Sequence, residues 1–256
     1  MRTLLLAGLL ALSWGGQAQA DGAPAYLSLI IDDLGQNASR DARALALPGP
    51  VTLAVMPDTP HAADFARDAH KAGRTVIVHM PMDPAGGPFA WAPGMSDDQL
   101  RERLAAAFKA VPYAAGLNNH EGSRMTAEPG AMALLASELQ QRQLFLVDSR
   151  TSAATQAAAQ AQAIGLASVS RDVFLDDERT PQAIAVQLEK AVVLAHKQGS
   201  AVVIGHPYPQ TLAVLEQALP GLKARGVQMI GIRQMIAERG NQAMRGHGKG
   251  GKYRPL

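Results

Sequence analysis

The stretch LSLIIDDLGQ, Leu27 to Gln36, sets five mostly apolar residues of strand character directly before two adjacent aspartates. Leu27–Ile31 reads as a buried strand, and Asp32 and Asp33 then stand at its end. Successive strand residues point to opposite faces, so the two carboxylates are expected to divide a task rather than share one geometry. One would hold a divalent cation, and the other would take a proton from water acidified by that cation. A cation also makes such dense negative charge tolerable.

Similar apolar, β-branched runs recur at intervals of roughly 25 to 30 residues, each followed by a segment with helical apolar spacing. They are YLSLII, VTLAVM from Val51, RTVIVHM from Arg74, AAGLN near Gly116, LFLVD from Leu144, LASVSRDVFLD from Leu166, AVVIG from Ala201 and VQMIG from Val227. Among the intervening helices, Ser96–Gln99 forms a capping-box pattern, and Thr180 followed by Pro181 opens a helix to about Lys197. This alternation predicts an α/β fold with a parallel sheet covered by helices, and seven or eight units suggest closure into a single-domain barrel. An open doubly wound sheet is the second choice, and no glycine-rich fingerprint follows the first strand.

Chemistry in parallel α/β folds gathers where the strands end. Here Asp32 and Asp33 follow the first strand, and Asp58 and His61 the second, the latter pair read as caps of the helix beginning near Pro60. His79 closes the third, with Asp83 four residues on. Asn118, Asn119, His120 and Arg124 follow the fourth, and Asp148, Ser149 and Arg150 the fifth. Arg171, Asp172, Asp176 and Asp177 flank the sixth, and His206 follows the seventh. A barrel would bring Asp33, His79, His120 and His206 to one mouth.

Residues 1–20 carry Arg2, an apolar run from Leu4 to Leu12 and a closing AQA, the pattern of a secretory leader. No later segment reaches the roughly 18 unbroken apolar residues of a membrane span. Export to the periplasm without a transmembrane anchor is the expectation. The chain has no cysteine, so a metal has to be held by His, Asp, Glu or backbone oxygen. Residues 21–238 form the predicted domain. The net charge of +2 comes from the end of the chain, where Arg239–Leu256 holds five Lys or Arg and no acid. That tail reads as disordered, and without a basic stripe interleaved with aromatics nucleic acid is not an expected partner.

Together these residues resemble the divergent branch of the polysaccharide deacetylases, a family of exported, metal-dependent carbohydrate esterases. IIDDLG looks like the family's first motif, Thr-Phe-Asp-Asp-Gly, which implies Asp32 as general base and Asp33 as metal ligand. VIVHMPMD stands where the His-x-x-x-His motif belongs, implying His79 as a ligand. AVVIGHP looks like the closing Leu-x-Leu-x-His motif, implying His206 as general acid. HMPMDP, GLNNHEGSRMT, FLVDSRTS, RDVFLDD and IGHPYPQT carry the resemblance to the divergent branch over nearly the full mature chain. It implies a distorted (β/α)7 barrel. The second histidine of the family's metal motif falls on Asp83, so either Asp83 or His120 completes the ligand set, with His120 favoured because imidazole binds zinc strongly. The family's Arg-Pro-Tyr/Phe segment is absent where NNHEGSR stands.

The activity implied is release of acetyl groups from an acetylated polysaccharide with the help of zinc or a similar divalent ion. Asn119, Asp148, Arg171, Asp172 and Asp176 are expected to support the ligands or touch substrate, Arg171 with Asp172 by orienting the base. The alternative is a catalytically weak or inactive glycan-binding or regulatory protein that keeps the barrel, with Phe89 and Trp91 of the DPAGGPFAWAPGM loop either stacking on sugars or packing on the barrel rim.

Overall fold

The computed structural model describes residues 25–247. The leader (1–20) and the last residues of the basic tail (248–256) lie outside them. Nine strands form one parallel sheet: β1 (Ala25–Leu34), β2 (Thr52–Val55), β3 (Thr75–Met82), β4 (Gly116–Glu121), β5 (Phe145–Asp148), β6 (Ser168–Ser170), β7 (Val173–Phe174), β8 (Ser200–Gly205) and β9 (Val227–Met229). Eight helices alternate with them: α1 (Ala38–Ala46), α2 (Ala62–Lys71), α3 (Asp97–Ala110), α4 (Pro129–Gln141), α5 (Ala157–Ala163), α6 (Pro181–Gln198), α7 (Pro209–Ala218) and α8 (Ile232–His247). The order β6-β5-β4-β3-β2-β1-β8-β7 curls the sheet, and β9 pairs with the start of β1.

The expected continuous strand from Leu166 is instead broken. β6 pairs with β5 through Leu146↔Ser168 to Asp148↔Ser170, and β7 pairs with β8 through Val173↔Val203 and Phe174↔Ile204. Arg171 N–H still reaches Asp148 O (3.0 Å), whereas Asp172 N–H already reaches Val202 O (2.9 Å). One bent segment therefore changes neighbours midway and joins the two edges of the sheet, which is the distortion of the barrel.

Strand alternation sorts the apolar residues into two layers. Ile30, Ala54, Ile77, Phe145, Val147, Val169, Val202 and Ile204 fill the barrel interior. Leu29, Ile31, Leu53, Val76, Val78, Leu146 and Val203 face the helices. The capping box of α3 forms, with Gln99 N–H donating to Ser96 Oγ (3.3 Å) and Ser96 N–H to Gln99 Oε1 (2.9 Å). Thr180 caps α6, which ends on Gly199 in the left-handed region at φ 87°.

One open choice is decided and two expectations are corrected. Trp91 is fully buried, tied by its backbone to Pro81 and Asp83, and Phe89 packs on the same core, so this loop exposes no aromatic platform. His61 occupies the N-cap of α2 but makes no capping hydrogen bond through its side chain. The boundary at 238/239 falls inside α8, because Arg239 is held rather than free: it donates to Asp172, to Ser200 Oγ (3.1 Å) and to Ser170 O (3.4 Å). These contacts fill the lower gap that the bend opens between β6 and β8.

Candidate metal and catalytic site

The interior rows of the barrel continue upward from apolar to polar residues. Asp32 lies two residues beyond Ile30, His79 beyond Ile77, Ser149 beyond Val147 and His206 beyond Ile204, so period-two alternation aims all four into the mouth. Asp33 is on the wrong parity and by alternation would face the helices. It does not, because its backbone turns left-handed at φ 56° and the β1–β2 register slips between Ile31 and Leu34. Aspartate is among the few residues with a side chain that enter this region readily. The expectation that the two carboxylates take opposite faces is thereby corrected: His79 Nε2 lies 3.6 Å from Asp32 Oδ2 and 3.3 Å from Asp33 Oδ1.

Asp33 Oδ1, His79 Nε2 and His120 Nδ1 form a triangle. Its edges are 3.3 Å (Asp33–His79), 3.1 Å (Asp33–His120) and 3.0 Å (His79–His120). Ligands bonded at about 2.0–2.1 Å around one ion stand about 2.9–3.4 Å apart at right-angled to tetrahedral spacing. Asp33 Oδ1 is also buried and accepts no hydrogen bond of good geometry, despite two imidazole nitrogens beside it. A nitrogen- and oxygen-binding divalent cation fits this donor set. Asp83 stands apart from it, its carboxylate paired with Arg124 through contacts of 2.5 and 2.9 Å.

Asn118, whose side chain the sequence reading left without a role, links the two halves of the site. Its Nδ2 donates to both oxygens of Asp32 (2.8 and 3.1 Å) and to Ser149 Oγ (3.3 Å), while its Oδ1 lies 2.8 Å from His79 Nδ1. The carboxylate fixes which way the amide faces, so Oδ1 accepts and the His79 Nδ1 must carry hydrogen. This leaves Nε2 as the nitrogen directed at the triangle, as a metal ligand requires. The signal was present in the sequence: on β4, residues 118 and 120 share a face, and Asn118 is in register with His79. Asn119 has the opposite parity and braces the loop instead, donating to Glu121 O (2.7 Å) and accepting from Ser149 N–H (2.9 Å).

His206 is set from behind. Its Nδ1 lies 2.9 Å from Asp176 Oδ1, its backbone N–H donates to Asp176 Oδ2 (2.7 Å), and Thr211 Oγ1 donates to the same oxygen (2.8 Å). Nε2 then faces the cleft, 3.8 Å from Asp33 Oδ2. Asp148 accepts from Arg150 N–H and Thr155 Oγ1 and so shapes its own loop. Arg171 donates to Ser149 O (2.6 Å) and Arg150 O (2.8 Å), and forms no ion pair with Asp32. Asp172 binds Val202 N–H and Arg239, below the mouth. The expected orientation of the base by Arg171 and Asp172 is replaced by the Asn118 contact.

Burial pushes the Asp32 carboxyl up, against the opposing pull of His79, His206 and Asn118. Burial acts the same way on Asp33, but the adjoining His120 and His79 rings overcome it and hold that carboxylate well below the usual range. For His79, burial works against the charged ring, yet the Asp32 and Asp33 carboxylates prevail and its pKa is pushed up to about 9. His206 likewise rises despite burial, chiefly through Asp176. The two neighbouring carboxylates are thus shifted in opposite directions, Asp32 up and Asp33 down, as suits a base beside a charged ligand.

Comparison with known proteins bears on the family and the fold. Residues 29–236 match the family model described as divergent polysaccharide deacetylase. The chain is 39% identical over 200 residues to the uncharacterized protein YibQ of Escherichia coli K12, covering 77% of this chain and 63% of the relative, so it spans less than two thirds of that protein. In three dimensions it is similar to the uncharacterized protein ATU2773 of Agrobacterium tumefaciens, with a TM-score of 0.80 at 22% identity over 84% of this chain and 91% of that one. It also shares its fold with BA3943 of Bacillus anthracis, a CE4 family pseudoenzyme, with a TM-score of 0.51 at 14% identity over 84% and 66% of the two chains. By the family model that spans most of its length, the chain belongs to the divergent polysaccharide deacetylases.

Proposed function

We propose that this protein is a metal-dependent hydrolase that removes acetyl groups from an acetylated envelope or extracellular polysaccharide, acting in the periplasm after loss of its leader. One observation carries the reading: the Asp33–His79–His120 triangle has Asp32 and His206 beside it in the same cleft. These three residues would hold the cation, zinc by its affinity for imidazole and carboxylate. When bound, such an ion supplies Lewis acidity toward an acetyl carbonyl and toward water.

Asp32 takes the proton of the attacking water. It is the right group for this because its raised pKa strengthens it as a base, and because Asn118 fixes the carboxylate plane without neutralising it. His206 delivers a proton from Nε2 to the leaving sugar nitrogen or oxygen, while Asp176 retains the proton on Nδ1. The test is acetate release by the purified protein with added zinc, measured on chito-oligosaccharide, peptidoglycan and an acetylated polysaccharide. Zinc-dependent release from at least one supports the reading. Stoichiometric zinc binding without release from any of them favours the glycan-binding alternative.

The His206–Asp176 pair sets a pH dependence. A general acid must be protonated, and a raised pKa lets His206 keep its proton to higher pH than an ordinary imidazole. Activity is therefore expected to fall on the alkaline side as His206 loses its proton. Asp176→Asn removes the negative charge, returns the imidazole toward its ordinary value and moves that limb to lower pH. At about pH 8 the variant is expected to lose roughly ten- to a hundredfold in kcat, within the range of general acid catalysis. An unchanged kcat–pH profile would remove His206 from the acid role.

A further inference from the structure

The bend between β6 and β7 opens a second gap higher up, between β7 and the loop after β5. It is a groove of about 560 Å³ lined by Arg150, Arg171, Phe174, Lys190 and the acids Asp172 and Asp177. Its charges are uneven. Asp172 is already committed to Arg239 and Val202 N–H. Three cations therefore face one uncommitted carboxylate, Asp177.

The Arg171 side chain and the Arg150 backbone are both fixed. Arg171 is fixed by its hydrogen bonds to the carbonyls of Ser149 and Arg150, leaving Nη1 without a partner among the described residues. Arg150 takes a left-handed backbone at φ 50°, braced by Asp148 Oδ1 on its N–H (2.9 Å), and its guanidinium makes no hydrogen bond or ion pair among the described residues. A non-glycine residue at positive φ is strained and persists where the surroundings enforce it. Two like charges thus share a groove in which Asp177 is the one uncommitted carboxylate among the lining residues, and burial together with Arg150 lowers the Arg171 pKa.

The groove adjoins the catalytic cleft. Phe174 lies edge-on to the His206 ring at 5.2 Å, and the Arg171 guanidinium lies over the same phenyl ring at 5.1 Å. One aromatic ring separates the proposed acid from the arginines, a span of one or two sugar rings.

We propose that Arg150 and Arg171 form an anion subsite selecting acetylated glycans in which a sugar next to the acetylated one bears a carboxylate. This rests on the deacetylase reading above and narrows its substrate class. The planar fork of Arg matches a carboxylate through paired N–H donors, and Phe174 offers the ring of that sugar an apolar face.

The test compares kcat/KM on an acetylated oligosaccharide with alternating carboxylate-bearing sugars and on a neutral chito-oligosaccharide of equal length. The wild type is expected to favour the carboxylated substrate by about tenfold or more, the scale of one charge-assisted hydrogen bond pair. The preference should shrink as salt is raised. Arg150→Gln should bring the ratio near one. Lys197→Gln, which removes the same charge from an exposed position outside the groove, should leave the ratio intact. Equal rates in the wild type, or a ratio that survives Arg150→Gln, overturn the inference.

Equilibrium binding of the carboxylated oligosaccharide to Asp32→Asn, with and without Arg150→Gln, separates the two readings. Arg150-dependent binding with no acetate released by the wild type keeps the subsite and removes the catalysis. Acetate released equally from both glycans, with binding indifferent to Arg150, keeps the catalysis and removes the subsite.

Discussion

Asp32→Asn is expected to lose acetyl release by about three orders of magnitude while still capturing one metal ion per chain, a loss within the range for removing a general base. The two readouts separate because Asp32 is outside the ligand triangle: its Oδ2 is 3.6 Å from His79 Nε2, and its principal contacts are the two hydrogen bonds from Asn118. An asparagine can offer its own carbonyl oxygen to the Asn118 amide, so that donor keeps an acceptor, while the new amide NH2 is buried and the fold should lose about 1–3 kcal/mol. The measurement is acetate release alongside metal content of the same preparation. More than about a tenth of the activity surviving with metal in place would show that another group takes the proton.

His79→Ala has the larger structural effect. It deletes one corner of the triangle and also the ring whose positive form lies against both carboxylates in the metal-free chain. Metal affinity is expected to fall well beyond the 10- to 100-fold typical of losing a ligand's supporting partner. The metal-free protein should lose about 3–5 kcal/mol, because two closely placed carboxylates remain, Asp32 fully enclosed, without their principal counter-charge. Asp83→Ala supplies the contrast, since that carboxylate is engaged by Arg124. Metal stoichiometry by elemental analysis and thermal unfolding of the metal-free proteins check both. Loss of metal in Asp83→Ala, with metal kept in His120→Ala, would reverse the ligand assignment.

Much of this site was legible in the sequence because a parallel barrel carries its chemistry on strand ends, and strand ends are what hydrophobic runs mark. Asp32, His79 and His206 each follow an interior apolar residue by two positions, a spacing readable without coordinates. Asn118 was readable by the same rule applied to β4, but its neighbour Asn119 and the adjacent His120 drew attention from it. Asp33 was readable from its place at the strand end and from the motif it resembles, but not how it gets there, since its direction depends on a left-handed turn that breaks strand alternation.

The second shell was harder still. Arg171, Asp172 and Asp176 are close in the sequence, yet the bend between β6 and β7 sends them to three different surroundings. Composition misled at the chain's end, where a basic, glycine-rich stretch conceals that Arg239 and its helix pack on the sheet. For Trp91 the Gly- and Pro-rich loop around it leaves sugar stacking and rim packing equally open, and the short backbone bridge to Met82, which carries the indole inward, decides for packing.

The pairing of β1 has a consequence for how the chain is made. The first of the described strands is bordered by β8 along one edge and by β9 at the start of the other, partners that begin 175 and 202 residues after Ala25. A growing polypeptide that stops short of Ser200 has an open-edged sheet and an unshielded barrel interior. The barrel can therefore close only once β8 and β9 are available, so its completion waits on the most distant strand pairings among the described residues.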